Sequence, residues 1–171
     1  MTAPVYPDLA ASTVNRKWIL EVDTGAGGSS EWTMIGGVTD FKPITDDANW
    51  VDDSDYASGG FKSQVKTSTA WSATCTVRRG PQADDPTTYD VGQEFLRSHA
   101  IGKFGPDNTV SVRFYEYDPD GGPRVEAYSG SCGVGWAEQG GANDATSTVQ
   151  VTLTGQGKLN EIAHPWPLAG S

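Results

Sequence analysis

Few residues of this chain have the types and spacing to do chemistry. Five aspartates, Asp46, Asp47, Asp52, Asp53 and Asp55, fall between Thr45 and Gly60 with no basic residue among them. Asp52, Asp53 and Asp55 are oxygen donors of the kind that hold a hard divalent cation. Asp118-Pro119-Asp120-Gly121 opens like a calcium loop, but no glutamate stands at its twelfth position, and proline followed by glycines is ordinary turn chemistry. Gly155-Gln156-Gly157-Lys158 has the glycines and lysine of a phosphate loop. There Leu159 replaces the required Ser or Thr, and the earlier glycine is missing. His99 and His164, the two histidines, have no Cys, His or Glu at ligand spacing. Ser131-Cys132, between Gly130 and Gly133, has no identifiable base. The expectation is a chain without catalytic residues, metal or cofactor.

Charge segregation is more informative. The aspartate-rich stretch is followed by residues 61–79, which carry Lys62, Lys66, Arg78 and Arg79 and no acid. Two arrangements satisfy this pattern. The opposite charges pair within one chain, or one copy's acidic loop meets the basic strand of the next, a head-to-tail contact that closes into a ring by rotation. In the second arrangement Trp50 and Tyr56, with Val51 between them, anchor the contact. Asp52, Asp53 and Asp55 against Lys62, Lys66 and Arg78 set its register. Trp166, held between Pro165 and Pro167, is a further contact of this kind, because a stiff extended segment loses little entropy on docking.

The elements that position these residues read as strands. Val149, Val151 and Leu153 alternate with Thr148, Gln150, Thr152 and Thr154, a half-buried strand whose polar face carries no charge. Trp18, Leu20 and Val22 alternate similarly, and the glycine-rich turn after them leads to Trp32 and Met34, giving a hairpin. Gly36-Gly37 marks a bend before Val38-Thr39-Asp40-Phe41. Phe61–Val65 and Trp71–Arg79 read as a second hairpin. Strands follow at Val110–Phe114, Arg124–Tyr128 and around Val134–Trp136. One helix is expected from about Tyr89 to Ile101, capped by Thr87 or Thr88 and closed by Gly102, with Val91, Phe95, Leu96 and Ala100 on its buried stripe. Cys75 and Cys132 each lie on the core side of a strand, where small buried thiols belong.

At 171 residues, with 21 glycines and 10% aromatics, the chain is read as one mainly β domain of about eight strands. The expected fold is a two-sheet β-sandwich or barrel with one flanking α-helix. An N-terminal arm (1–15), a long loop (45–60) and a C-terminal arm (156–171) extend from it. The net charge of −10 argues against a basic nucleic-acid-gripping face. Neither a signal peptide nor a membrane span is read in the sequence.

Four segments together carry a family resemblance. They are Lys17–Gly25, the Glu31-Trp32 strand through Gly36-Gly37 to Phe41, the Asp52-Asp53-Ser54-Asp55 loop leading to Ser72-Ala73-Thr74, and the closing Val151–Gly157. In their order the chain resembles the major tail tube proteins of long-tailed (siphovirus-type) bacteriophages. The resemblance implies a structural virion protein, assembled in the host cytoplasm, whose hexameric rings stack into a hollow tube. DNA passes through that lumen without specific binding, and the expected partners are further copies of the chain with the tape-measure, terminator and distal tail proteins. It also implies that the 45–60 loop reaches the neighbouring ring. Two other readings stay open: a tail-terminator or head–tail joining ring, and an all-β carbohydrate-binding or adhesion module.

Overall fold

The computed structural model describes residues 18–26, 28–56, 59–119 and 121–167. The N-terminal arm read at 1–15 lies outside them. Nine strands and one α-helix are seen among the described residues: β1 (Trp18–Asp23), β2 (Trp32–Met34), β3 (Val38–Asp46), β4 (Asn49–Asp52), β5 (Gln64–Ser68), β6 (Trp71–Arg78), α1 (Val91–Ala100), β7 (Thr109–Glu116), β8 (Ala127–Gln139) and β9 (Thr148–Glu161). Seven form one antiparallel sheet in the order β2-β1-β7-β8-β9-β6-β3; β4 and β5 form a separate two-stranded sheet. The expected class, mainly β with two sheets and a flanking helix, is the observed one.

The large sheet rolls until its ends meet. Trp18 on β1 and Phe41 on β3 belong to opposite ends of the strand order, yet their ring centroids lie 6.1 Å apart. The chain between β2 and β3 stitches the seam: Ile35 N–H donates to Leu20 O on β1 at 3.0 Å, and Gly37 O accepts from Arg78 N–H at the end of β6 at 2.7 Å. Gly37 has φ +72 and the Cβ of any other residue would sit 2.6 Å from Arg78 O, so glycine is required at this turn. The interior is filled from all sides. Phe114 lies 5.7 Å from Phe41, 5.7 Å from Tyr128 and 6.4 Å from Trp71, distances typical of favourable tilted aromatic pairs. Around them Val22, Val77, Val112, Val149, Val151 and Leu153 are fully buried.

Helix α1 closes one end of the roll. Asp90, rather than Thr87 or Thr88, is its N-cap: the carboxylate accepts from Gln93 N–H at 2.9 Å. The aspartate directly precedes the first helical residue and presents its oxygen to a free amide of the first turn. Leu96 enters the core, and Phe95 and Ala100 pack against it, but Val91 is exposed at the first helical position. Gln93 is buried and donates to both Gly36 O (2.8 Å) and Arg78 O (3.1 Å), tying the helix to the seam.

Four expectations of local structure are corrected. Phe61–Val65 and Trp71–Arg79 do not form a hairpin, because β5 pairs with β4 while β6 lies between β3 and β9. The 45–60 segment is not an irregular loop: Thr45 and Asp46 end β3, and 49–52 form β4. Arg124–Tyr128 and Val134–Trp136 are not two strands; β8 runs continuously from Ala127 through Gly130, Gly133 and Gly135. Gly130 and Gly133 serve close approach. A Cβ on Gly130 would meet the Trp71 ring at 2.7 Å and one on Gly133 would meet Asn108 Oδ1 at 2.9 Å. Finally, β9 extends to Glu161, so the C-terminal arm begins at 162 rather than 156.

Candidate functional site

The β4–β5 hairpin interrupts the large sheet between β3 and β6 and stands apart from it. Its base is fixed where Asp47 N–H donates to Ala70 O at 3.0 Å and Ser72 Oγ donates to the Asp47 carboxylate at 3.0 Å. Its pairing matches Trp50 with Lys66, Val51 with Val65 and Asp52 with Gln64. Asp53 N–H donates to Ser63 O at 3.1 Å, and Ser63 N–H donates to Ser54 Oγ at 2.7 Å, carrying the ribbon one step further. Every residue of both strands is exposed. Trp50, Val51, Tyr56, Phe61 and Val65 therefore face solvent on both sides of the ribbon, Tyr56 at 111% and Phe61 at 82% of reference exposure. An isolated two-stranded ribbon is only marginally stable in water.

The structure brings most, not all, of the sequence-read contact residues together. Trp50, Val51, Asp52, Asp53, Asp55, Tyr56, Lys62 and Lys66 lie on this hairpin. Arg78 does not: it ends β6 at the opposite end from Trp71, where the hairpin enters, seven residues or about 24 Å away. Part of the charge pattern is satisfied within the chain, since Lys66 Nζ pairs with Asp46 at 2.7 Å. Asp52 sits below the usual carboxylate range because the Ser54 hydroxyl and N–H both donate to it. Among the described residues no group of three or more His, Cys, Asp or Glu is placed to hold a metal ion.

Trp166 bonds Tyr115 and Arg124 rather than any residue of the hairpin. Its indole N–H donates to the Tyr115 hydroxyl at 3.2 Å, and its carbonyl accepts from Arg124 Nη1 at 2.9 Å. His164 lies edge-on to the Tyr115 ring at 5.2 Å and bonds Glu116 O at 2.7 Å. The C-terminal segment thus covers the outer side of β7, which explains why outward-facing Tyr115 is fully buried. More than half of Trp166 remains exposed.

At the hairpin base lies a groove of about 670 Å³ lined chiefly by Ile44, Ala70, Trp71, Gly155 and Leu159, with Lys158 at its rim. Its floor is the Trp71 indole, whose N–H donates to Gly157 O at 3.2 Å. A Cβ at Gly155 would come within 2.4 Å of that ring, so the glycine-rich end of β9 is a bed for tryptophan rather than a phosphate cradle. Sequence reading assigned Trp71 to the core and Phe61 to a strand. The usable signal for this groove was the pair Gly155 and Gly157, interrupting β9 before apolar Leu159.

Away from the hairpin, the outer face of β6, β9 and β8 is almost uncharged. Ser72, Thr74 and Thr76 stand beside Thr154, Thr152 and Gln150, which in turn stand beside Gly133, Gly135 and Ala137.

The rolled sheet with its capping helix is a fold found in chains of phage-tail-like particles. This chain is similar to a chain in the virion of a native gene transfer agent particle (TM-score 0.57, 14% identity, covering 89% of this chain and 100% of that one). It is likewise similar to the sheath/tube terminator of an extracellular contractile injection system in its extended state (TM-score 0.58, 8% identity, 91% and 100% covered). A chain in the tail of an empty gene transfer agent particle, refined with helical C6 symmetry, gives a TM-score of 0.54 at 18% identity, covering 89% and 100%. At these identities the likeness is one of fold. No protein-family model matches the chain, and no curated protein matches it in sequence.

Proposed function

We propose that this chain is a structural subunit of a phage-tail-type particle, a major tail tube protein whose six-fold rings stack into a hollow tube that conducts DNA. The observation that carries this reading is the β4–β5 hairpin, a two-stranded ribbon exposed on both sides and rich in Trp, Val, Tyr and Phe. Exposed apolar surface of that kind marks a contact with another molecule. Its sides differ in character. Val51 and Val65 share one side and Trp50, Asp52, Gln64 and Lys66 the other, so the ribbon can meet two neighbours at once. Repetition of one such contact builds rings and stacks. The fold likeness to tail components supports the assembly, and C6 symmetry in one of those tails supports six copies per ring. The hydroxyl-rich outer face of β6, β9 and β8 offers almost no cation to hold a phosphate, and the net charge of −10 repels DNA overall. Such surfaces suit a conduit within a virion tail.

A second reading is a terminating ring, favoured by the likeness to an injection-system tube terminator. Negative-stain electron microscopy of the purified chain, taken to high concentration, separates the two. Hollow rods of uniform width are the expected result; single rings that never stack identify the terminator, and dispersed monomers at every salt concentration defeat both readings.

A further inference from the structure

The hairpin needs a seat, and among the described residues no side chain fills the groove beside Trp71. We infer that the groove lined by Ile44, Ala70, Trp71, Gly155 and Leu159 is the receptor for the hairpin end of a second copy, with Tyr56 or Phe61 as the inserted side chain. This inference rests on the self-assembly reading above and specifies the contact through which it operates.

Three observations choose this occupant. Size and polarity agree: a cleft of about 670 Å³ lies within the roughly 300–1,000 Å³ range of specific binding clefts. A Tyr or Phe seated in it would withdraw up to about 150–250 Å² of its own surface from water. Charge agrees as well. The groove carries Lys158, whereas the hairpin end carries Asp52 and Asp53 against one Lys62; Asp46, which also lines the groove, is already paired with Lys66 at 2.7 Å. Connectivity excludes the chain's own hairpin. The ribbon is regular from Asn49 to the Asp53–Ser63 bond, so its far end is held about 13 Å or more from the base that borders the groove. Groove and hairpin end therefore lie on different parts of one surface. Their union is heterologous: each copy gives one and receives one, leaving a free hairpin and a free groove at either end of any chain of copies.

Thiol cross-linking tests this directly. Ser63→Cys and Lys158→Cys are made as separate proteins, both at exposed positions, with Asn143→Cys on the exposed turn between β8 and β9 as the comparison. The native Cys75 and Cys132 are buried, so they stay silent. Mixed Ser63→Cys and Lys158→Cys chains, assembled and treated with a short bis-maleimide, are expected to yield a covalent pair absent from the Ser63→Cys and Asn143→Cys mixture. Ala70→Trp, which fills the groove, is expected to raise the protein concentration needed for assembly about tenfold or more, the usual scale for blocking a contact hot spot. Rods that form normally but give no cross-link overturn the groove assignment while leaving the tube reading intact. Absence of any assembly in the parent chain overturns the tube reading and this contact with it. Protection of the Lys158→Cys thiol in dilute monomers shows that the groove is filled by the same chain, and also overturns the inference.

Discussion

At the scale of single residues, the sharpest constraint is the fit of Trp71 against glycine. Its ring lies within 2.4 Å of a Cβ that Gly155 lacks and 2.7 Å of one that Gly130 lacks. Gly155→Ala is therefore expected to destabilise the fold by about 1–3 kcal/mol through overpacking, and Trp71→Ala by about 3–5 kcal/mol through the cavity it leaves. Urea unfolding of each variant checks both values. The buried thiols make a second prediction. Burial pushes Cys75 and Cys132 up to about 12, whereas an unfolded thiol ionises near 8.5. The folded chain thus keeps two protons that the unfolded chain releases, so the stability they contribute is fully present below about pH 8.5 and is lost as pH rises towards 12. Native protein at pH 8 is expected to leave both thiols unmodified by iodoacetamide, and denatured protein to react at both, as read by mass spectrometry.

At the scale of elements, the strand alternation of β1, β6, β7 and β9 was legible because each has one buried face and a period of two. The glycines of β8 were misleading. Gly130 and Gly133 read as breaks, yet both permit a neighbouring side chain to approach, and that neighbour arrives from elsewhere in the chain. The hairpin misled for a related reason. Aspartates and glycines in residues 45–60 have weak strand propensity, and the pairing of β4 with β5 is decided by cross-strand hydrogen bonds rather than by an apolar face. Because both strands are exposed, substitutions there act on assembly more than on folding. Asp52→Lys with Asp53→Lys, or Trp50→Ala, is expected to shift monomer stability by no more than about 0.5 kcal/mol. The same changes should markedly shorten or abolish rods, as measured by sedimentation; rods of normal length from all of these variants contradict the role given to the hairpin.

At the scale of the whole molecule, the C-terminal segment and the seam between β2 and β3 decide what is left free for neighbours. The segment from 162 to 167 covers Tyr115, so it serves its own domain through Tyr115, Glu116 and Arg124. Removing residues 162–171 is expected to expose Tyr115 and lower the stability of the monomer, which a chain carrying only Trp166→Ala would do to a smaller degree; thermal unfolding separates the two. The seam closes the roll, which leaves the large sheet with a short β2 end and a β3 edge interrupted by Pro43. Proline on an edge strand discourages indiscriminate strand addition. In the proposed assembly the contacts fall to the projecting hairpin and the groove beside it.

Composition and alternation by themselves determined a mainly β chain with one helix, a core of alternating apolar residues, and an acidic net charge, because burial periodicity and charge are local properties of a chain. They also singled out the aromatic, aspartate-rich stretch as a candidate contact. Only the tertiary structure decided that this stretch is a ribbon, that Arg78 is far from it, that Lys66 is already paired with Asp46, and that Trp71, Gly155 and Leu159 shape a groove. Those facts depend on which strands become neighbours when the sheet rolls, and strand order joins residues some 80 positions apart, as in the Trp71–Gly157 bond. No window along the chain contains both.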